Sequence, residues 1–162
     1  MKEVQAYLLT GSKFVVYLMI GIPGSGKSTW AKSTFPKLPI ISRDIIRAKL
    51  GFTRDSDEKA VLSAVQEKQV TEEEHFLINK YAKKNQSFII DDTNTGRFRK
   101  GLIQTLKDLG ATVVGINIDT PLEICINRRA GQIPEYVMRR LYEQQIPITR
   151  DEVDDLFVVK GY

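Results

Sequence analysis

The sequence predicts one α/β domain whose parallel β-sheet is covered by helices on both faces. Apolar runs rich in β-branched residues alternate along the chain with amphipathic stretches of helical length, and this alternation is typical of parallel sheets. The first run, 14–20, leads straight into a glycine-rich turn and a helix, as expected of a central strand. The length of 162 residues fits a single domain, 1–162, in which residues 1–12 carry no clear pattern and are treated as an N-terminal extension.

Apolar spacing and helix-breaking residues define the predicted elements of the N-terminal half. Residues 14–20 are apolar throughout, which predicts a strand buried on both faces. The helix after the glycine-rich turn, 28–35, is expected to end before Pro36, because proline disfavours helical geometry in the residue before it. A long amphipathic pattern over 57–85 predicts a helix with an apolar face. Further predictions are strands at 39–42 and 88–91 and a helical turn at 44–50 that Gly51 closes.

The C-terminal half is predicted to continue the alternation of helix and strand. Helix 97–109 is expected to stop at Gly110, because glycine readily adopts the left-handed conformation that ends many helices. Strand 112–118 follows, and helix 121–129 then begins with a proline in its first turn, where proline is well tolerated. A helix at 134–145 and a last strand at 156–159 complete the prediction.

The loop after the first strand matches the phosphate-binding pattern G-x-x-x-x-G-K-[ST] in full. Its glycines allow backbone N–H groups to wrap around a phosphate, and the following helix N-terminus adds partial positive charge there. Lys27 can reach the β- and γ-phosphates of a nucleotide, and the hydroxyl of Ser28 can bind Mg²⁺. The predicted ATP-binding residues are Gly21, Pro23, Gly24, Ser25, Gly26, Lys27, Ser28 and Thr29.

Asp44 and Arg47 follow the second predicted strand, at the edge of the sheet where ligands bind in open α/β folds. Asp44 can accept a proton from a hydroxyl that attacks the γ-phosphate. Arg47 lies three residues on, on the same helical face, and can bind an anionic part of the acceptor. Asp44 can also serve as a cap of the short helix, and the two roles are compatible.

Two acids end the strand at 88–91, in the segment "SFIIDDTNTGRFRK". An acid at this place is typical of phosphate-loop proteins, in which it holds Mg²⁺ through water. Asp92 is the preferred candidate and Asp91 the alternative; capping of the following turn by Asp92 is a competing interpretation. Arg97, Arg99 and Lys100 then crowd the first turn of the next helix, where cations oppose the helix dipole. An external anion explains this placement, and so does a solvated surface.

Arg128 and Arg129 end the predicted helix 121–129, before the breakers Gly131 and Pro134. The segment 128–145 is therefore predicted to form a short lid over the triphosphate. An arginine of this lid would neutralise the charge that develops in the transition state and would help to exclude water. The alternative is that both arginines only stabilise a helix C-terminus.

The composition sets broad limits on the function. The net charge of +4 is compatible with a polyanionic partner but decides little by itself. The single cysteine, Cys125, favours a reducing, cytoplasmic setting and is interpreted as a core residue. No apolar run approaches the ~20 residues of a membrane span, so no membrane partner is expected. The one histidine, His75, is predicted to be a surface or boundary residue without a catalytic role.

Taken together, these segments resemble the kinase domain of phage-type polynucleotide 5′-hydroxyl kinases. The segments that carry the resemblance are "GIPGSGKSTWAK", "SRDIIR", "IIDDTN" and the arginine-bearing lid, in this order between residues 14 and 159. The resemblance implies a P-loop kinase fold with a short helical lid. It also implies Asp44 as general base, Lys27 and Ser28 as ligands of phosphate and Mg²⁺, and Arg47 as a contact to the acceptor's phosphate. Asp92, Arg99 and Lys100 would take the family's remaining roles near metal and substrate, while the compressed "NRRAGQIP" leaves open which lid arginine acts.

The implied reaction is Mg²⁺-dependent transfer of the ATP γ-phosphate to the 5′-hydroxyl end of DNA or RNA, as in nucleic acid repair. A first alternative is a P-loop kinase that acts on a small phosphorylated metabolite, a nucleoside or a sugar hydroxyl. A polynucleotide acceptor predicts instead a basic groove towards Asp44, with Arg54, Arg97 and Arg99 along it. A second alternative, a non-enzymatic nucleotide-binding regulatory protein, would need neither Asp44 nor a lid arginine. A motor or switch ATPase is disfavoured, because no clear water-activating glutamate follows the third strand.

Overall fold

A computed structural model describes residues 13–52 and 64–161 of the chain. Five parallel strands form one sheet in the order β2-β3-β1-β4-β5, which confirms the predicted α/β class. Each strand lies within two residues of its predicted position. The strands are β1 (Val15–Ile20), β2 (Ile40–Ile41), β3 (Phe88–Ile90), β4 (Thr112–Asp119) and β5 (Asp155–Lys160).

Six α-helices connect these strands in the described part of the chain, and they correspond to the six predicted ones. The predicted long helix is described from Ala64 to Lys83, and its predicted start at 57–63 lies outside the described residues, as does the N-terminal extension 1–12. The helices are α1 (Lys27–Thr34), α2 (Arg43–Lys49), α3 (Ala64–Lys83), α4 (Arg99–Asp108), α5 (Leu122–Arg129) and α6 (Glu135–Glu143), with a 3₁₀ turn at Arg150–Glu152.

The central strand β1 explains why the fold could be predicted from its pattern. All six of its residues are buried, because helices cover both faces of the sheet. Val16 pairs with Phe88 of β3 on one side and with Val113 of β4 on the other. One face of the sheet packs against α2, α3 and α4, and the opposite face packs against α1. This arrangement places the C-terminal ends of β1, β2 and β3 side by side.

Helix α6, which lies within the predicted lid 128–145, and helix α5, whose last two residues begin it, pack directly on the loop after β1. Ile22 of the loop, Cys125 of α5 and Met138 of α6 form a small separate apolar cluster. Cys125 is fully buried there, in agreement with its interpretation as a core residue. The C-terminal end of α5, with its two arginines, is therefore held against the glycine-rich loop.

The described helices do not have the properties of a membrane-spanning helix. In 13–52 and 64–161, none of them combines the length and the apolar character that a crossing of the bilayer demands.

Candidate functional site

The glycine-rich loop, residues 21–26, turns the chain sharply between β1 and α1. Gly24 and Gly26 have φ angles of 81° and 95°, which favour glycine because other residues rarely adopt them. A Cβ atom on Gly24 would lie 2.7 Å from the carbonyl oxygen of Cys125, so the loop and α5 approach each other more closely than any side chain would allow. The sequence therefore needs glycine here for both conformation and packing.

Lys27 is buried at the start of α1, and its ammonium group lies within the curve of the loop. Its Nζ donates hydrogen bonds to the carbonyl oxygen of Ile22 at 3.1 Å and to Ser25 Oγ at 3.5 Å. Burial lowers the pKa of Lys27, with Arg129 adding to the effect and Asp91 opposing it. A phosphate group in the loop would offer this ammonium a charged partner in place of the neutral loop oxygens.

Ser28 and Asp91 form the pair of oxygen groups that best fits a magnesium ion. Ser28 Oγ donates a hydrogen bond of 2.6 Å to Asp91 Oδ2. The second carboxylate oxygen, Asp91 Oδ1, is buried and has no hydrogen-bond partner among the described residues. Because Mg²⁺ prefers hard oxygen ligands and usually keeps several waters, a hydroxyl and one carboxylate next to a phosphate site suit it. A magnesium ion would be held here by Ser28 and Asp91.

Asp92, the preferred metal ligand in the sequence prediction, faces a different environment. Its Oδ1 accepts a hydrogen bond of 2.8 Å from the backbone N–H of Arg43, at the start of α2. The geometry thus favours Asp91, the alternative, over Asp92 as the acid beside Ser28. Burial raises the pKa of Asp92 to about 7, and the carboxylates of Glu74 and Asp44 add to this shift, while the hydrogen bond from Arg43 and its charge oppose it.

The raised pKa of Asp92 leads to a prediction about stability. Folded Asp92 keeps a proton that the unfolded chain loses near pH 3.8. The contribution of Asp92 to the free energy of unfolding should therefore fall, by up to about 4 kcal/mol, as the pH rises from about 4 to about 7. The variant Asp92→Asn keeps the acceptor for Arg43 and cannot ionise, so it should lack this loss. Urea unfolding of both proteins in EDTA across this pH range measures the difference, and parallel pH profiles would contradict it.

Two cavities flank the loop, one on each side of Lys27. The first, of about 560 Å³, is bounded by the loop, by Trp30 and Ser33 of α1, and by the end of β5. The second, of about 860 Å³, contains Asp44. Three side chains of the described chain line both cavities, namely Lys27, Ser28 and Arg129. These three therefore mark the place where a phosphate could pass from a donor in one cavity to an acceptor in the other.

Asp44 and Arg47 lie together on one face of α2, as their spacing predicted. Arg47 Nη1 donates to Asp44 Oδ1 at 2.8 Å, and 89% of the Asp44 side chain is exposed, against 16% for Arg47. The N-cap of α2 is Ser42, whose hydroxyl accepts from Ile45 N. Because Ser42 fills the capping role, the carboxylate of Asp44 is free to face the larger cavity.

Glu67 and Glu74 of α3 were not identified from the sequence, although they bind the arginines of α2. Glu67 forms ion pairs with Arg43 at 2.8 Å and with Arg47 at 3.2 Å, and Glu74 pairs with Arg43 at 2.8 Å. The two glutamates are seven residues apart, so they lie on one face of the helix. That spacing was visible in the sequence, but their partners come from another helix. The guanidinium of Arg47 is thus oriented by carboxylates on two sides.

The two lid arginines occupy different places. Arg128 Nη1 donates to the carbonyl oxygen of Gly24 at 3.0 Å, and its side chain lines only the smaller cavity. Arg129 Nη1 donates to Gln132 Oε1 at 3.0 Å, and Arg129 lines both cavities. Of the two, Arg129 is therefore the one that borders both cavities.

Arg99 was predicted to bind substrate, and its position corrects that prediction. Its side chain is only 1% exposed and forms two hydrogen bonds with the carboxylate of Glu152, at 3.1 and 3.2 Å. It also donates to the backbone carbonyls of Asn94, Ile146 and Pro147. In the sequence, Arg99 belongs to one basic group with Arg97 and Lys100. In the structure, α4 begins at Arg99 and the side chain of Arg99 points inward. Lys100 remains exposed, and its charge helps to lower the pKa of Asp151.

This burial predicts that Arg99→Met destabilises the fold. Removing one partner of a buried ion pair leaves the other charge unpaired and typically costs about 3–5 kcal/mol. For a chain of this size, a loss of that order corresponds to a decrease in Tm of roughly 6–20 °C. Thermal unfolding followed by circular dichroism measures it, with Lys100→Met as the control for an exposed cation in the next position. Equal Tm values for the two variants would show that Arg99 has no anchoring role.

Comparisons with known proteins identify the family and the fold of the chain. The sequence matches the family described as AAA domain (AAA_33) over residues 16–145. The fold is similar to that of a putative kinase from Chloroflexus aurantiacus J-10-fl, with a TM-score of 0.66, 18% identity, and coverage of 93% of this chain and 86% of that one. The fold is also similar to that of a gluconokinase from Sinorhizobium meliloti 1021, with a TM-score of 0.62, 18% identity, and coverage of 91% of this chain and 82% of that one.

A third similar structure is a chain of the Pnkp1/Rnl/Hen1 RNA repair complex, with a TM-score of 0.67 and 22% identity. The match covers 80% of this chain but only 43% of that one, so it concerns one part of a longer protein. The three structures share a fold although one is named a gluconokinase, one belongs to an RNA repair complex, and one is named only a putative kinase. The chain belongs to the AAA domain family, and its fold is that of the P-loop kinases.

Proposed function

We propose that this chain is an ATP-dependent kinase that transfers the γ-phosphate to a 5′-hydroxyl end of DNA or RNA. The observation that carries the proposal is the pair of cavities that meet at Lys27, Ser28 and Arg129, with Asp44 in the larger one. A hydrolase or a simple nucleotide binder needs only the first cavity. A transferase needs a second one, open to the γ-phosphate and furnished with a base.

Each side chain has a role that follows from its position. Lys27 and the loop amides bind the β- and γ-phosphates, and Ser28 with Asp91 would hold Mg²⁺, which supplies neutralising charge to the phosphate oxygens. Asp44 accepts the proton of the attacking hydroxyl as the bond from that oxygen to phosphorus forms and the bond to the leaving ADP breaks. Arg129 neutralises the charge that grows on the transferred group.

The walls of the larger cavity support a nucleotide as acceptor. One side carries Asp44 and Arg47, which suit a hydroxyl and a phosphate. The remaining wall combines an apolar patch with polar groups, among them Lys32, Ser42 and Thr93. The face of a nucleobase would pack well on the apolar patch, and its polar edge or its sugar could reach the polar groups. The apolar side chains of this wall are Ile40, Ile45, Phe52, Ile133, Val137 and Leu141.

The pairing of the arginines favours a second candidate, a kinase of a small acceptor. Arg43 and Arg47 are already neutralised by Glu67 and Glu74, so the larger cavity is less cationic than its sequence suggested. Of the basic groove expected for a polynucleotide, Arg99 is buried and Arg54 lies outside the described residues. A small, weakly charged hydroxyl compound would need no such groove. The non-enzymatic alternative gains no comparable support.

Transfer of labelled γ-phosphate to a panel of acceptors tests the proposal. The panel contains 5′-hydroxyl DNA, 5′-hydroxyl RNA, nucleosides, nucleoside 3′-phosphates and sugars, each with Mg²⁺ and with EDTA. We expect labelling of the oligonucleotides that requires Mg²⁺ and is lost in Asp44→Asn. Labelling of a nucleoside or sugar without any oligonucleotide would establish the second candidate instead. Release of free phosphate with no labelled acceptor would argue against a kinase altogether.

A further inference from the structure

We propose that Phe98, together with Arg97, is a stacking platform for a base of the single-stranded acceptor beyond its 5′ nucleotide. The inference rests on the proposed function. It adds a second contact surface outside the larger cavity, which contains Asp44 and is called the acceptor cavity from here on. It assigns a role to the aromatic side chain that is inserted in the basic segment "GRFRK".

The exposure of Phe98 calls for an explanation. Its side chain is 78% exposed at the N-terminal end of α4, a greater exposure than that of the other large apolar residues in the described ranges. The guanidinium of Arg97 lies 4.9 Å from the centre of the ring. An aromatic ring and an arginine that are both open to solvent offer the two kinds of group that stack on unpaired bases and attract the backbone of a single strand.

The loop that carries this pair is joined to the candidate site. The carbonyl oxygen of Thr93 accepts a hydrogen bond of 3.0 Å from the backbone N–H of Gly21, the first residue of the phosphate loop. The amide of Asn94 donates to the carbonyl oxygen of Met19 at 2.8 Å. Thr93 also lines the acceptor cavity. Phe98 thus follows, five residues on, a segment that forms part of the cavity wall.

Buried contacts fix the platform from below. Arg99, the next residue, is held by Glu152 and by the carbonyls of Asn94 and Ile146. The carbonyl oxygen of Thr95 accepts a further bond of 2.8 Å from Ile146 N. These contacts hold the backbone beside Phe98, and an aromatic side chain with few rotatable bonds loses little conformational entropy when a base stacks on it. In this arrangement Arg99 is a positioning residue for Phe98.

The charges around Phe98 suit a polyanion. The segment 93–107 contains no Asp or Glu, and it carries Arg97 and Lys100 on its exposed side. Two acids outside the segment act on it: Glu152 pairs with the buried Arg99, and Asp151 lies near Lys100. The N-terminal end of α4 adds partial positive charge. Charge complementarity therefore favours a nucleic acid strand over a second copy of this basic chain.

The experiment compares a short acceptor with a long one. Phosphate transfer is measured with a nucleoside 3′-phosphate and with a short single-stranded 5′-hydroxyl oligonucleotide, for the unmodified protein, Phe98→Ala and Phe98→Tyr. We expect Phe98→Ala to raise the KM for the oligonucleotide by about 5- to 100-fold, in line with the loss of one stacked base. Its KM for the nucleoside 3′-phosphate should not change. Phe98→Tyr should retain the activity, because its ring still stacks.

Phe76→Ala is the matched control, because Phe76 is also an exposed aromatic residue, 61% exposed, but lies on α3. Binding of a labelled single-stranded oligonucleotide by fluorescence anisotropy gives a readout that does not need transfer. If transfer to oligonucleotides is absent but binding depends on Phe98, the platform stands and the proposed function falls. Equal oligonucleotide binding by the unmodified protein, Phe98→Ala and Phe76→Ala would overturn the platform. So would a dimer that Phe98→Ala dissociates without any change in oligonucleotide binding.

Discussion

Asp44→Asn is expected to lower kcat for phosphate transfer by about 10²–10⁴-fold while ATP binding stays nearly unchanged. The amide is almost isosteric with the carboxylate, but it cannot accept the proton of the attacking hydroxyl. Asp44 lines the acceptor cavity and not the smaller cavity, which is called the donor cavity because ATP is proposed to bind there. The substitution should therefore leave the affinity for ATP unchanged. The measurements are kcat and KM for both substrates, with the Kd of ATP from a separate titration.

Arg47→Ala provides the control for this variant. It removes the same ion pair as Asp44→Asn, but it leaves the carboxylate in place. It should raise the KM for a phosphorylated acceptor more than the KM for ATP, and that acceptor's binding should weaken with salt because phosphate contacts release counterions. A similar loss of kcat in both variants would mean that transfer depends on the ion pair between Asp44 and Arg47, and not on proton acceptance by Asp44. Equal loss of transfer and ATP binding in Asp44→Asn would also count against its role as base.

The fold could be predicted because its determinants are local. β1 is apolar over its whole length and runs into a loop whose glycines have φ angles that other residues avoid. Such patterns depend on neighbours in the chain and not on distant partners. The same holds for Asp44 and Arg47, because three residues on one helix determine their relation.

The predictions that the structure revises, for Asp92 and Arg99, concern residues whose contacts are with distant parts of the chain. Asp91 and Asp92 are adjacent after β3, and only the packing of α1 and α2 decides that Asp91 meets Ser28 while Asp92 meets Arg43. Arg99 belongs to a basic segment in sequence, but its partner Glu152 lies 53 residues away. No periodicity within the segment indicates that one of three neighbouring cations is buried. Contacts of this kind follow from the tertiary arrangement alone.

The lid arginines could not be separated by sequence, because both occupy the last turn of α5. The structure distinguishes them by what they line. Arg128 is hydrogen-bonded to the backbone of Gly24 and borders the donor cavity, so its effect should be on nucleotide binding. Arg129 borders both cavities. Burial lowers the pKa of Lys27, and the positive charge of Arg129 lowers it further. We therefore propose Arg129 as the arginine that acts on the phosphate during transfer.

Arg129→Ala is accordingly expected to lower kcat by about 10³-fold or more, the order found when a transition-state arginine is removed from a phosphoryl-transfer enzyme. Arg128→Ala should change kcat by less than about 10-fold and should act mainly on the KM for ATP. Arg129→Lys keeps the charge but loses the planar fork, so it should recover only part of the rate. Single-turnover kinetics with saturating ATP separate transfer from binding. The reverse order of the two alanine variants would assign the transition state to Arg128, and it would mean that lining both cavities does not identify the residue that stabilises the transferred phosphate.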